Sequence, residues 1–445
     1  MKLKFLSALL LSSALASAAA AAPDSASEKA WQIGDIVEFA DVDLPGTPRI
    51  QKEDGECFLS SPTETVPLLW KVAETDPEGG RILLVALHGI KASSYCHPSV
   101  LEDSGSCSFA ESVIAGDHLN GMETNSLRQS VSVEGLEPYD SDKGLYFFIL
   151  SAREALKYFP SPEERLLYPM PASSLRPGKA DLDSRLYGWW WLRGNEKDQL
   201  VPFVDFSGRL HQEGTQPFHG GGLIRPAVWV RTDAFPGHRS PHGTTVTMGS
   251  WPQASATAKS PLKWIVLAED REQHRLLVIA EEGIEFLPFG SANADIEWDW
   301  KTSQIRTFLN RDFLRKAFTP AEQKRIRKSR VISNSLIFSD DSKDTETEDK
   351  IFLPDAALVM RYMPEFSLRN SRITPYVRDK IKKASSAVDY EIAPLILLRE
   401  RSLGIECYDG CTTMQHLTEG HLNTDGERPA SESFVIRPVM WISAE

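Results

Sequence analysis

Ile224-Arg225-Pro226-Ala227-Val228-Trp229 and Ile436-Arg437-Pro438-Val439-Met440-Trp441 share one pattern, apolar–Arg–Pro–apolar–apolar–Trp, at two distant places in the chain. Six residues alone decide little, but the sequence upstream of each copy is also alike. Before the first copy, Pro67-Leu68-Leu69-Trp70-Lys71-Val72 runs through Asp76-Pro77-Glu78-Gly79-Gly80 into Arg81-Ile82-Leu83-Leu84-Val85-Ala86-Leu87. Before the second, Pro261-Leu262-Lys263-Trp264-Ile265-Val266 passes a charged turn into Arg275-Leu276-Leu277-Val278-Ile279-Ala280. Apolar β-branched runs around a turn rich in Asp, Pro and Gly predict a hairpin in each case.

Further landmarks follow in the same order. Asn125-Ser126-Leu127-Arg128 aligns with Ser303-Gln304-Ile305-Arg306, where Ile305, Phe308, Leu309 and Phe313 fall on one helical face. Thr319-Pro320-Ala321-Glu322 has the capping-box spacing that opens a helix. Asp142-Lys143 aligns with Asp349-Lys350, and short helices are predicted over 151–159 and 354–363. Trp190-Trp191-Leu192-Arg193 aligns with Leu397-Leu398-Arg399. Landmarks kept in order over this length predict an internal duplication. The expected layout is a signal peptide at 1–22, a first repeat domain at 31–232, a linker at 233–260 and a second repeat domain at 261–445. The linker rests on Pro, Gly, Ser and Thr content. The acidic stretch 340–349 reads as a solvated loop.

Lys2 and Lys4, an apolar run and Ala16-Ser17-Ala18 predict a secretory leader, and hence a periplasmic or secreted protein. The net charge of −13 becomes −15 without the two lysines, which makes nucleic acid an improbable partner. No later apolar run is long enough for membrane insertion. In an oxidising compartment the five cysteines favour a Cys96–Cys107 bridge, a second between Cys407 and Cys411, and a leftover Cys57.

Taken together the landmarks resemble a family of bacterial extracellular domains of unknown function. Trp300, Ser303, Ile305, Arg306, Phe308, Leu309, Asn310 and Phe313 carry its helix motif. Trp190-Trp191-Leu192-Arg193, Val204-Asp205-Phe206-Ser207-Gly208 and Ile224-Arg225-Pro226-Ala227-Val228 carry its closing motifs. The closing part is also similar to C-type-lectin-like domains, including formylglycine-generating-enzyme-like proteins. That resemblance implies an α+β fold: two tandem C-type-lectin-like domains, each with a twisted antiparallel sheet, short flanking helices and a loop-rich ligand surface.

Chemistry is sparse by comparison. Leu87-His88-Gly89 resembles the His-Gly loop of α/β-hydrolases, and Asp103-Ser104-Gly105 a serine nucleophile, but no G-x-S-x-G elbow accompanies them. Cys407 and Cys411 resemble the copper-holding pair of formylglycine-generating enzymes, and soft thiolates suit Cu(I). The histidines at 211, 219, 238 and 242 fit no standard zinc spacing, so neither metal nor cofactor is expected. Trp189 and Trp191 share one face of a strand and could stack a sugar ring, with Trp190 turned away. Arg193, Arg225 and Arg437 are expected to pair with acidic side chains, and Pro226 and Pro438 to mark a sheet edge or bulge. The expectation is non-catalytic recognition of an extracellular glycan, cell-wall or protein ligand by Trp189, Trp191, Arg193 and His219. A hydrolase or copper-dependent oxidase is the rival.

Overall fold

The computed structural model describes residues 30–445 except 46–48, 54–55, 61–62, 101–105, 122–130, 169–187, 195–198, 236, 292–298, 334–344, 388–393, 402–413, 424–428 and 445. Residues Gln32–Glu445 pack as one compact unit. The first hairpin pairs Thr63–Asp76 with Arg81–Ala86. Its second strand is buried from Ile82 to Ala86, as its unbroken apolar run requires of a strand covered on both faces. The closing strand Pro226–Arg231 lies beside it, in a sheet ordered His238–Arg239, Ile36–Pro45, Thr63–Asp76, Arg81–Ala86, Pro226–Arg231 and Leu136–Glu137. A second sheet runs Leu210–Thr215, Val201–Val204, Trp190–Trp191, Gly222–Leu223 and Ala92–Ser93, with one parallel pair.

Past residue 244 two five-stranded sheets repeat the order of the first half's central strands. One is ordered Thr245–Ser255, Ala258–Asp270, Arg275–Ala280, Val439–Ser443 and Ile326–Arg327. The other is ordered Glu285–Pro288, Ser433–Ile436, Ile396–Arg401, Met414–Thr418 and His421–Asn423, again with one parallel pair. Side-chain anchors recur as well. Trp70 Nε1 donates to Phe39 O and Trp264 Nε1 to Met248 O. Arg165 Nη1 donates to the carbonyls of Phe159 and Pro160, and Arg369 Nη1 to those of Met363 and Pro364. Asn120 and Asn310 sit in or at the end of the π-helical turns Ile114–Asn120 and Phe308–Phe313. Each accepts two backbone N–H bonds and donates to two carbonyls.

Helices start where capping chemistry says they should. Ser151 with Glu154 opens Ala152–Tyr158, and Thr319 with Glu322 opens Pro320–Arg325. Asp355 caps Ala356–Tyr362 by accepting from Leu358 N.

Several sequence expectations need correcting. Within 233–260, the stretch expected to be a linker, Thr245–Ser255 is a strand that pairs with Ala258–Asp270 over a long antiparallel register. Its small and polar residues fit a strand whose outer face is wet, with Met248, Trp251 and Pro252 turned inward. Thr345–Asp349 is likewise a strand, paired with Ser329–Ser333. Asp349 is buried there, accepting from Trp300 Nε1 and Arg306 Nε. Asn120 and Asn310 clamp equivalent backbone at Phe147 and Ile351, so the segment matching 303–310 ends at Asn120. Residues 125–128, which the sequence aligns with 303–306, lie outside the described residues.

The closing strand is not at an edge, since it pairs on both sides. Pro226 is tolerated because it is the strand's first residue. Nor do Arg225 and Arg437 form ion pairs among the described residues. Arg225 Nε donates to Ala86 O (2.9 Å) and Arg437 Nε to Ala280 O (2.8 Å), tying each closing strand to the hairpin before it. The Cys96–Cys107 disulfide is present. Cys57 stands in the strand Glu56–Ser60, while Cys407, Cys411 and the expected leader at 1–22 lie outside the described residues. Among those residues no helix is long and apolar enough to cross a membrane.

Candidate functional site

Strand alternation puts Trp191, Phe203 and His211 on one face of the first half's second sheet, with Phe203 opposite Trp191 on one side and His211 on the other. The rings form a continuous row. His211 stacks on Phe203 at 4.6 Å and 7°, Phe203 meets Trp189 edge-on at 5.6 Å, Trp189 meets Trp191 at 4.6 Å, and Trp191 meets Tyr95 at 5.6 Å. Offset and T-shaped contacts of this kind add stability beyond the area they bury. Gly222 makes the row possible, because a Cβ there would lie 2.3 Å from Trp191 Nε1 and 2.7 Å from the Trp189 ring.

The row is graded in exposure. Tyr95 and Trp191 are fully buried, whereas Trp189, Phe203 and His211 are half-buried. At the exposed end His211 Nε2 donates to Asp205 Oδ2 (2.8 Å) and Nδ1 to Glu213 Oε1 (3.0 Å). With an acceptor at each nitrogen the ring favours the imidazolium, and the Asp205 hydrogen bond, against the opposing effect of burial, raises its pKa. Phe218 and His219 stack at 5.7 Å on the neighbouring loop and are both exposed.

The four expected ligand residues therefore separate. Trp189 stays partly open, and His219 is open on the loop whose Gly221 abuts the Trp189 indole. Trp191 is not available to a ligand, because its face is covered and its Nε1 donates to Ser93 O. Arg193 is also occupied: Nη1 donates to Ile149 O (2.6 Å) and Nη2 to Glu154 (2.9 Å), and the guanidinium lies over Tyr139 and Phe148. It ties a helix start to the sheet, the structural pairing its motif suggested. Sequence reasoning missed Phe203 and His211. Their signal was the register of Val201–Val204 against Leu210–Thr215, which no local pattern discloses. The equivalent positions of the other half hold Leu397, His416 and Asn423, so among the described residues the aromatic row belongs to one half.

A second polar cluster lies at the seam between the halves. His88 is buried, with Nε2 donating to Met360 O (2.9 Å) and Nδ1 unpartnered. Burial, against a weaker upward pull from the Met360 carbonyl, lowers its pKa to about 4. His242 donates through Nδ1 to Leu267 O and through Nε2 to Glu365 (3.1 Å). Burial opposes its charge, but Glu365 outweighs burial and raises its pKa. In return His242 holds Glu365 below the usual carboxylate range despite the cost of burial. The His-Gly loop thus places its histidine in a wall between two packed halves, away from solvent. The serine at 104 lies outside the described residues. Among those residues no three His, Cys, Asp or Glu side chains converge as metal ligands.

Residues 275–370 match the family model of a domain of unknown function, DUF6273. The match spans the hairpin strand Arg275–Ala280, the Trp300–Phe313 helix motif and the helix Ala356–Tyr362. No curated protein and no solved structure matches the chain.

Proposed function

We propose that this chain is a secreted, non-catalytic recognition protein built from two copies of one extracellular domain, and that the first copy binds a glycan along the row Trp189–Phe203–His211. The carrying observation is that row: half-open aromatic rings beside the hydrogen-bonding groups of Asp205, His211 and Glu213. Sugar rings present apolar C–H faces that lie on aromatic rings, while their hydroxyls seek planar polar side chains. Two copies are supported by the matching strand orders and by the paired anchors Trp70/Trp264, Arg165/Arg369 and Asn120/Asn310. What a fold requires should stand in both copies, whereas the aromatic row stands in one. The reading of each copy as C-type-lectin-like rests on the closing motifs alone.

The test is retention of the mature chain on insoluble cell-wall polysaccharides, alongside Phe203→Ala. The reading expects saturable retention of the unaltered protein and a loss of about tenfold in the variant, the size of one aromatic contact. Retention that survives Phe203→Ala unchanged places binding elsewhere.

A further inference from the structure

His211 closes the exposed end of the aromatic row, stacked on Phe203 at 4.6 Å and 7° across a strand pair. Both ring nitrogens face carboxylates: Nε2 lies 2.8 Å from Asp205 Oδ2 and Nδ1 lies 3.0 Å from Glu213 Oε1. Only a doubly protonated ring can donate to both, because neutral imidazole carries a single N–H. The two acceptors are held differently. Asp205 is fixed by its own turn, where Oδ1 accepts from Ser207 N, Ser207 Oγ and Arg209 N. The Glu213 side chain is 74% exposed, and among the described residues the imidazole is its side-chain hydrogen-bond partner.

Losing one proton therefore acts unequally. The remaining N–H stays on Nε2, toward the fixed Asp205, and Nδ1 turns a lone pair on Glu213, which is free to swing into solvent. The row then loses its most exposed acceptor for sugar hydroxyls, and its outermost ring loses one of its two tethers. The charges at this end are those of His211, Asp205, Glu213 and Arg209, which acts on Glu213 through space, with His219 on the neighbouring loop. Both carboxylates are held below their ordinary range: at Asp205 burial is outweighed by the hydrogen bonds from His211 and the turn, and Glu213 is lowered by its own backbone N–H and then by His211. The imidazole moves the other way, raised chiefly by Asp205. Of the ring and its two carboxylates, the ring is the group that changes charge near and above neutrality.

We propose that His211 gates this site by pH: the row holds a glycan while both ring nitrogens carry protons, and weakens its hold when Nδ1 loses its proton in alkaline solution. The gate rests on the recognition reading above and adds its regulation.

The experiment measures retention of the mature chain on chitin and cellulose, insoluble cell-wall polysaccharides without a titrating group, from about pH 6 to about pH 9. It is paired with His211→Gln and with the imidazole nitrogen NMR signals of the free chain. Retention is expected to fall about fivefold across that range, the size of one hydrogen bond, with its midpoint where the NMR signals show the loss of the Nδ1 proton. Glutamine donates without titrating, so His211→Gln should be retained to an extent that does not vary with pH. Retention of the unaltered chain that is constant with pH, a pH dependence that persists in His211→Gln, or a ring already singly protonated at about pH 6 overturns the gate and leaves the recognition reading standing. Absence of retention at every pH overturns both.

Discussion

At the residue scale, burial separates side chains that look alike in the sequence. Trp189 and Trp191 are alternate members of one strand region, yet one is partly open and the other sealed. Trp191→Ala should cost about 3–5 kcal/mol, the range for emptying a fully buried large aromatic position, and Trp189→Ala clearly less. Urea unfolding of the two variants measures the difference. His88 gives a pH prediction. Its native pKa, about 4, lies below the ordinary value, so between about pH 6.5 and 4 the unfolded chain takes up a proton that the native chain refuses. Stability should therefore fall as pH drops through that window, by about 3 kcal/mol in all. His88→Asn should flatten this part of the profile; a profile as steep as before would assign the acid sensitivity to other groups. His242 and Glu365 act across the same seam. The contribution of His242, whose pKa is raised, is lost as pH rises through that value, and that of Glu365, whose pKa is lowered, is lost as pH falls.

At the element scale, the helix starts are where local chemistry and tertiary structure meet. Arg399 and Asp355 form a buried pair that joins the strand Ile396–Arg401 to the N-terminus of Ala356–Tyr362. Removing one partner leaves the other charge buried, so Asp355→Ala should cost about 3–5 kcal/mol. The first half joins the same elements through Arg193 and Glu154, which are more exposed, so Glu154→Ala should cost less; chevron or equilibrium denaturation distinguishes them. The Cys96–Cys107 bridge closes a short loop, and its reduction should cost about 3 kcal/mol on chain-entropy grounds, seen as a lower Tm in reductant.

The same scale shows what was legible in the sequence. Hairpins, capping boxes and closing strands depend on residues within a few positions of each other, and each was readable. The strand Thr245–Ser255 was not, because its outward face carries the Ser, Thr and Gly that make a linker. Nothing local marks Arg225 and Arg437 as donors to carbonyls, because those carbonyls lie 139 and 157 residues away. The aromatic row escaped for the same reason: Phe203 and His211 join it only through cross-strand register.

At the scale of the whole molecule, two halves share their strand orders and anchors and differ in what lies on them. Among the described residues the first half has a half-open aromatic row that the second lacks, and Arg225 Nη1 is buried without a partner whereas Arg437 Nη1 donates to Leu368 O. The most direct measurement is a glycan-array comparison of the mature chain with Trp189→Ala, each with its Tm recorded. The account predicts that the unaltered chain captures a defined set of glycans, and that the variant loses at least tenfold of that signal while Tm moves only a few degrees. Capture undiminished in the variant, or lost only together with the fold, would contradict it.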